Sequence, residues 1–150
     1  MFEHILIPTD GSPLSRAAAA AGIELAARLG ARVTGLFAAP APTPLVYRGL
    51  LPVGYMTPAR HAELTRRAAK KYLETIETAA RRAGVECQCV TVTDEYPAHA
   101  ILETVRKRRC DLIFMASHGR RGLAGALLGS ETQKVLAASP VPVLVYRGRG

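Results

Sequence analysis

Apolar positions along the chain switch repeatedly between two periods. His4-Ile-Leu-Ile-Pro8 is a short continuous apolar run, the pattern of a strand buried on both faces. Asp10-Gly-Ser-Pro13 follows as a turn, with Ser12 placed to cap a helix and Pro13 at its first position. That helix carries Ala17, Ala21 and Leu25 and stops at Gly30. Arg32 to Ala38 predicts a second strand. Residues 39–57 are rich in Pro and Gly and show no period, so they read as one long connection. Pro58 opens a second helix, whose stripe runs Ala62, Thr65, Ala69, Leu73, Ile76, Ala80, Ala83 before Gly84. Glu86–Thr93 predicts the third strand. A third helix begins at Pro97 with Ile101 and Val105 on one face, and Leu112–Met115 is the fourth strand. Glu131–Ala138 gives a fourth helix and Val141–Tyr146 a fifth strand.

Strand and helix therefore alternate through the whole chain. Such alternation predicts an α/β fold, a mainly parallel sheet with helices on both faces and right-handed crossovers. In sheets of this kind ligands bind beyond the strand C-termini, where the strand order reverses. The length of 150 residues, with no repeat or internal boundary, suits a single domain over 1–150.

The segment after the fourth strand carries the chemistry. Ala116-Ser-His-Gly119 is followed by nine residues and then Gly129-Ser130. A buried strand that ends in a glycine-bearing loop and feeds a helix N-terminus is a phosphate cradle in outline: unpaired N–H groups and the helix dipole both favour an anion. Gly119, Gly122, Gly125 and Gly129 let backbone approach a ligand. Ser130-Glu-Thr-Gln133 matches a capping box, which would make Ser130 the helix cap. A glycine-rich connection with no ligand fits the same local pattern.

Composition narrows the classes. Hydrophobic residues make up 49% of the chain, yet no apolar run reaches the roughly 18 residues that cross a bilayer. The N-terminal segment has no basic region or cleavage site and reads as the first strand, so a cytoplasmic location is the default expectation. Net charge is +8. Arg106–Arg109 sit where cations complement a helix C-terminus, while Lys70-Lys71 and Arg81-Arg82 lie on the polar side of the long helix. Few aromatics interleave with these cations, so the charge does not mark a dedicated nucleic-acid surface. Cys87 and Cys89 share a strand face and are too close to bridge without distorting it; with Cys110 they read as reduced structural thiols, in no zinc-like spacing.

Taken together, Ile5-Leu-Ile-Pro-Thr-Asp10, Ser117-His-Gly-Arg-Arg-Gly-Leu123, Leu127-Leu-Gly-Ser130 and Ser139-Pro-Val-Pro-Val-Leu-Val145 resemble the universal stress protein family over essentially the whole length. The resemblance implies a five-stranded parallel sheet of order 3-2-1-4-5, of the adenine-nucleotide alpha-hydrolase-like kind, and homodimers joined through the C-terminal strand. One branch of the family binds ATP through Gly-x-x-Gly, nine residues, then Gly-Ser or Gly-Thr. Gly119, Gly129 and Ser130 match the last three of those positions, and Ala116 stands in place of the first glycine. By the same resemblance Asp10 lies by adenine or ribose, flanked by Pro8, Thr9 and Met115, and the Ala38 backbone faces adenine. Ser130, Glu131 and Thr132 supply N–H and hydroxyl donors to the phosphates, with His118, Arg120 and Gly122 in the covering loop. No Walker-type sequence and no acidic cluster mark a dedicated phosphoryl-transfer centre, so a Mg²⁺ or Mn²⁺ ion would come with the phosphates. His118 has no carboxylate near it in sequence to orient a general base. The expected role is an ATP-binding dimeric switch in stress adaptation; a slow ATP hydrolase and a nucleotide-free interaction module are the alternatives.

Overall fold

The computed structural model describes residues 1–42, 56–120 and 127–148. Its elements are β1 (His4–Thr9), α1 (Pro13–Leu29), β2 (Arg32–Ala39), α2 (Pro58–Ala83), β3 (Cys87–Thr93), α3 (Pro97–Arg108), β4 (Leu112–Ala116), α4 (Ser130–Ala138) and β5 (Val143–Tyr146). The strands form one sheet of order β3-β2-β1-β4-β5, and every pairing is parallel. The fold expected from the alternation and the resemblance is the fold observed.

Strand alternation divides the core into two layers. Ile5, Ile7, Val33, Phe37, Leu112 and Phe114 pack with buried residues of α1 and α2 on one face. Leu6, Leu36, Ile113 and Met115 pack with Ala98, Ile101, Val105 and Val135 of α3 and α4 on the other. β1 is buried along nearly its whole length because it is central and covered on both sides, which is why its sequence shows a run rather than an alternation.

The helix ends follow their sequence signals. Ser12 Oγ accepts the Ser15 N–H (3.2 Å) and Thr57 Oγ1 accepts the Arg60 N–H (3.2 Å). Gly30 and Gly84 take the left-handed conformation at the C-termini of α1 and α2, with φ of 68° and 69°.

Three local expectations are corrected. The stripe of α2 is buried only at Ala69, Leu73, Ile76 and Ala80, while Ala62 and Ala83 are exposed. Twenty-six helical residues extend about 39 Å and overrun the sheet at both ends. β5 starts at Val143 rather than Val141, because the Ser139 hydroxyl bonds both backbone groups of Val141 (2.7 and 3.2 Å) and Pro142 has no N–H. The capping box at Ser130 does not form: the cap is Gly129, and Ser130 is the first helical residue.

Candidate functional site

Strand order reverses between β1 and β4. Ile5 pairs with Leu112 and Leu6 with Ile113, so continuing the register brings Thr9 level with Ala116. The two segments that leave these strand ends, Asp10-Gly-Ser and Ser117-His-Gly-Arg, meet across the reversal. Pro8 and Ala38 are half-buried beside them, and Met115 and Ala116 are buried.

Asp10 is the hub of one side. Its Oδ1 accepts the Ser12 N–H (2.9 Å) and its Oδ2 accepts the Arg120 N–H (2.7 Å). Burial works against the charged form, but the hydrogen bonds from Ser12 and Arg120 prevail and hold the carboxyl below the ordinary aspartate range. A Cβ at Gly119 would overlap this carboxylate, so the glycine is what lets the second loop close onto Asp10. Thr9 Oγ1 accepts the Gly11 N–H (3.1 Å) and bonds Ser15 Oγ (3.1 Å). The α1 end of the crevice is thus satisfied from within.

The α4 end differs. Gly129 stands at the cap in extended conformation, φ −68°, so it does not serve by positive φ. Its role is spatial. An added Cβ would come within 3.1 Å of His118 Cα and 3.2 Å of His118 Cβ, and the Gly129 N–H donates to the Ser117 carbonyl (2.7 Å). No side chain caps α4 among the described residues. Among the described residues, its first N–H groups and the positive end of its dipole therefore have no carboxylate or hydroxyl cap.

The acidic residue in that first turn is drawn elsewhere. Glu131 Oε2 accepts the Ala98 N–H at the start of α3 (2.8 Å), and Oε1 takes Lys134 Nζ (2.8 Å). Burial opposes ionisation of Glu131, and these two donors overcome it and lower its pKa. Thr132 is buried, and its hydroxyl donates to the Ala116 carbonyl (3.1 Å). That bond pins α4 to the end of β4 and leaves the backbone N–H of Thr132, rather than its hydroxyl proton, for a ligand. Ser130 is exposed with its side chain uncommitted to capping.

Arg120 turns away from α4. Its Nε donates to the Asp10 carbonyl (2.9 Å), its Nη2 to the Tyr72 hydroxyl (2.9 Å), and the guanidinium stands 5.4 Å over the Tyr72 ring. The Ser117 hydroxyl pairs with His118 Nδ1 (3.2 Å), and no carboxylate bonds His118 among the described residues. Gly122, Arg121 and Gly125 lie outside the described residues.

Sequence reasoning missed Tyr72. With Arg16, Lys71 and Arg120 it lines a cavity of about 210 Å³ beside the Asp10 turn, so three cations gather next to the strand ends. The signal was present in the stripe of α2, where Tyr72 flanks Leu73 and faces Phe37 edge-on at 5.4 Å. A larger trough of about 630 Å³ runs along the outer face of α2 between Arg67, Lys70 and Arg82. It is open to solvent and lined by α2 residues alone, and it meets the smaller cavity at Lys71 and Thr75. Among the described residues no three His, Cys, Asp or Glu side chains gather to hold a metal ion, and no helix is long and apolar enough to cross a membrane.

Known proteins with this arrangement give it a family. The universal stress protein family profile matches residues 1–147. A universal stress protein of Methanocaldococcus jannaschii is 31% identical over 147 residues, covering 98% of this chain and 83% of the relative. Another, YxiE of Bacillus subtilis, is 30% identical over 150 residues, covering 98% of this chain and all of the relative. Among solved structures, UspA of Lactobacillus plantarum superposes with a TM-score of 0.75 at 22% identity, covering 97% of this chain and 98% of that one. Two further structures of the same fold are a universal stress protein in complex with cAMP (TM-score 0.67, 20% identity, 97% of each chain) and one from Archaeoglobus fulgidus in complex with dAMP (TM-score 0.64, 16% identity, 97% of each chain). The strand order, the glycine loop and these matches agree: the chain belongs to the universal stress protein family.

Proposed function

We propose that this protein binds ATP across the ends of β1 and β4 and works as a nucleotide-dependent homodimeric switch in stress adaptation. The observation that carries the reading is the N-terminus of α4. It begins at a glycine packed against the His118 backbone, has no side-chain cap among the described residues, and opens at the point where strand order reverses. The N–H groups of Ser130, Glu131 and Thr132 hold the phosphates, and the Ser130 hydroxyl adds a donor. Asp10, with Pro8, Thr9, Met115 and the Ala38 backbone around it, receives the nucleoside. Arg16, Lys71 and Arg120 beside the Asp10 turn add positive potential that favours an anionic ligand. The cAMP and dAMP complexes of two fold relatives support an adenine nucleotide. Mg²⁺ or Mn²⁺ enters with the phosphates, which supply the hard oxygen ligands such ions need.

Binding follows from these residues more directly than turnover. Hydrolysis needs a positioned water and a group to orient it, and His118 is bonded to a hydroxyl rather than to a carboxylate. One observation favours the nucleotide-free reading instead: both oxygens of Asp10 already accept N–H groups of the chain. Each of those oxygens keeps a second lone pair, so a nucleoside hydroxyl bound to Asp10 shares the carboxylate with the Ser12 and Arg120 N–H groups. Calorimetric titration with ATP, and mass spectrometry of the small molecule that co-purifies, decide between the two. Saturable binding heat at micromolar ATP supports the switch, and none at millimolar ATP leaves the interaction module.

The dimer rests on β5. It is an edge strand with unpaired backbone groups, and Leu144 at its centre is 39% exposed. Antiparallel pairing of two copies puts Leu144 near its own symmetry mate. Leu144→Lys should set like charges against each other and give monomers in light scattering; an unchanged dimer places the interface elsewhere.

A further inference from the structure

Two thiols stand apart from the nucleotide crevice, on the opposite edge of the sheet. Cys87 and Cys89 alternate with exposed Gln88 on edge strand β3 and point together toward α2. Their sulfurs are 4.0 Å apart. Cys89 Sγ lies 3.8 Å from the Leu73 carbonyl oxygen of α2. On β2 the residue paired with Cys89 is Gly35, where an added Cβ would come within 2.6 Å of the sulfur. The sheet thus leaves a side chain out beside Cys89, and both sulfurs remain partly accessible at the sheet edge.

We propose that Cys87 and Cys89 form a two-thiolate site for a soft, low-coordinate monovalent ion of the Cu(I) class, seated between β3 and α2. Distance separates this from a disulfide. Residues two apart on a parallel strand have Cα atoms about 6.6 Å apart, at the outer limit of the about 4.4–6.8 Å over which disulfides form. The observed sulfur separation is about twice a sulfur–sulfur bond. It suits a shared ion far better. With metal–sulfur bonds of about 2.3 Å, two thiolates lie about 4.6 Å apart in line and about 4.0 Å apart at a trigonal angle, so the pair fits a trigonal ion whose third ligand comes from solution at the partly accessible sheet edge.

Ligand number selects the ion. A structural zinc site closes with four ligands, and no third His, Cys, Asp or Glu completes a cluster here among the described residues. Thiolate pairs favour soft ions, Cu(I) among them. Binding releases the thiol protons and ties the edge strand to α2.

The test is anaerobic titration of the reduced full-length protein with Cu(I) in competition with bathocuproine disulfonate. One ion per chain should bind, with two sulfurs in its shell by X-ray absorption. Cys87→Ser and Cys89→Ser should each lose it, with circular dichroism showing that they fold, while Cys110→Ala keeps it. A wild-type affinity no greater than that of the double serine variant overturns the site. So does one ion per two chains, or binding that follows Cys110. Equal retention of Zn(II) overturns the low-coordinate assignment.

Discussion

Two strand-to-helix junctions meet at the crevice, and they are built in opposite ways. At the end of β1, Thr9, Asp10, Ser12 and Ser15 bond one another, and the Ser12 hydroxyl caps α1. At the end of β4 the cap is a glycine, the first-turn carboxylate reaches to α3, and the Thr132 hydroxyl turns back to the strand. Both helices present the same orphan N–H groups and the same dipole. Only the second leaves them to something other than its own side chains. The first junction is closed by its own side chains and the second is not capped by any described side chain, although both follow a buried strand.

The sharpest way to break that contrast is to fill the space at the second junction. Gly129→Val puts a branched side chain where even one carbon meets His118 at 3.1 Å. Because the backbone there has an ordinary φ of −68°, the damage comes from crowding, at about 1–3 kcal/mol of stability. ATP binding should disappear from calorimetric titrations while circular dichroism still reports a folded chain. Wild-type affinity in this variant would remove Gly129 from the cradle.

Next in size is Asp10→Ala. If Asp10 serves the nucleoside, ATP should weaken by about 1–3 kcal/mol and inorganic triphosphate by much less. Equal losses would assign Asp10 to the turn alone, through Ser12 and Arg120. Acid sharpens the same point. The folded pKa of Asp10 is lowered, so its stabilising contribution is present above the ordinary aspartate pKa and is lost as pH falls through the folded value. Asp10→Asn should therefore show a shallower loss of melting temperature as pH falls below about 4.

What the sequence makes legible follows from what each signal depends on. Strands and helices were readable because burial imposes a period, and Gly30, Gly84, Ser12 and Thr57 mark ends through their own backbone or hydroxyl chemistry. The strand order came from the family resemblance and not from any residue. The α4 cap was misplaced because Ser-x-x-Gln is a local pattern, whereas the Gly129 N–H is fixed at the cap by the Ser117 carbonyl at the far end of the loop (2.7 Å). Tyr72 escaped because its partner Arg120 is 48 residues away. The closeness of Cys87 and Cys89 was legible, but the 4.0 Å separation, set by side-chain rotamers, and the facing Gly35, set by the register with β2, were not.

The capping serines give a smaller and cleaner contrast. Ser12→Ala removes an acceptor that α1 uses and should cost about 0.5–2 kcal/mol of stability, with ATP affinity little changed. Ser130→Ala removes nothing that α4 uses, so the melting temperature should hold while affinity falls modestly. Urea titration and calorimetry on both variants read the two quantities separately. The reverse pattern would mean that α1, not α4, receives the ligand.

The smallest effect is expected at Ala116, where the family's ATP-binding pattern has glycine. Ala116 contributes a buried methyl to the core layer beneath α1, and its carbonyl anchors Thr132 of α4. Glycine keeps the carbonyl and loses only the methyl. Ala116→Gly should thus destabilise the strand end by about 0.5–1 kcal/mol while α4 stays in register with β4. Since the proposed cradle uses α4 N–H groups rather than the Ala116 side chain, ATP affinity should change by less than about tenfold, or about 1.4 kcal/mol. Calorimetry on the paired proteins checks this. Binding that is absent in the native chain and clear in Ala116→Gly would show that the methyl group closes the crevice, and the α4 junction would then be open in geometry but shut to nucleotide.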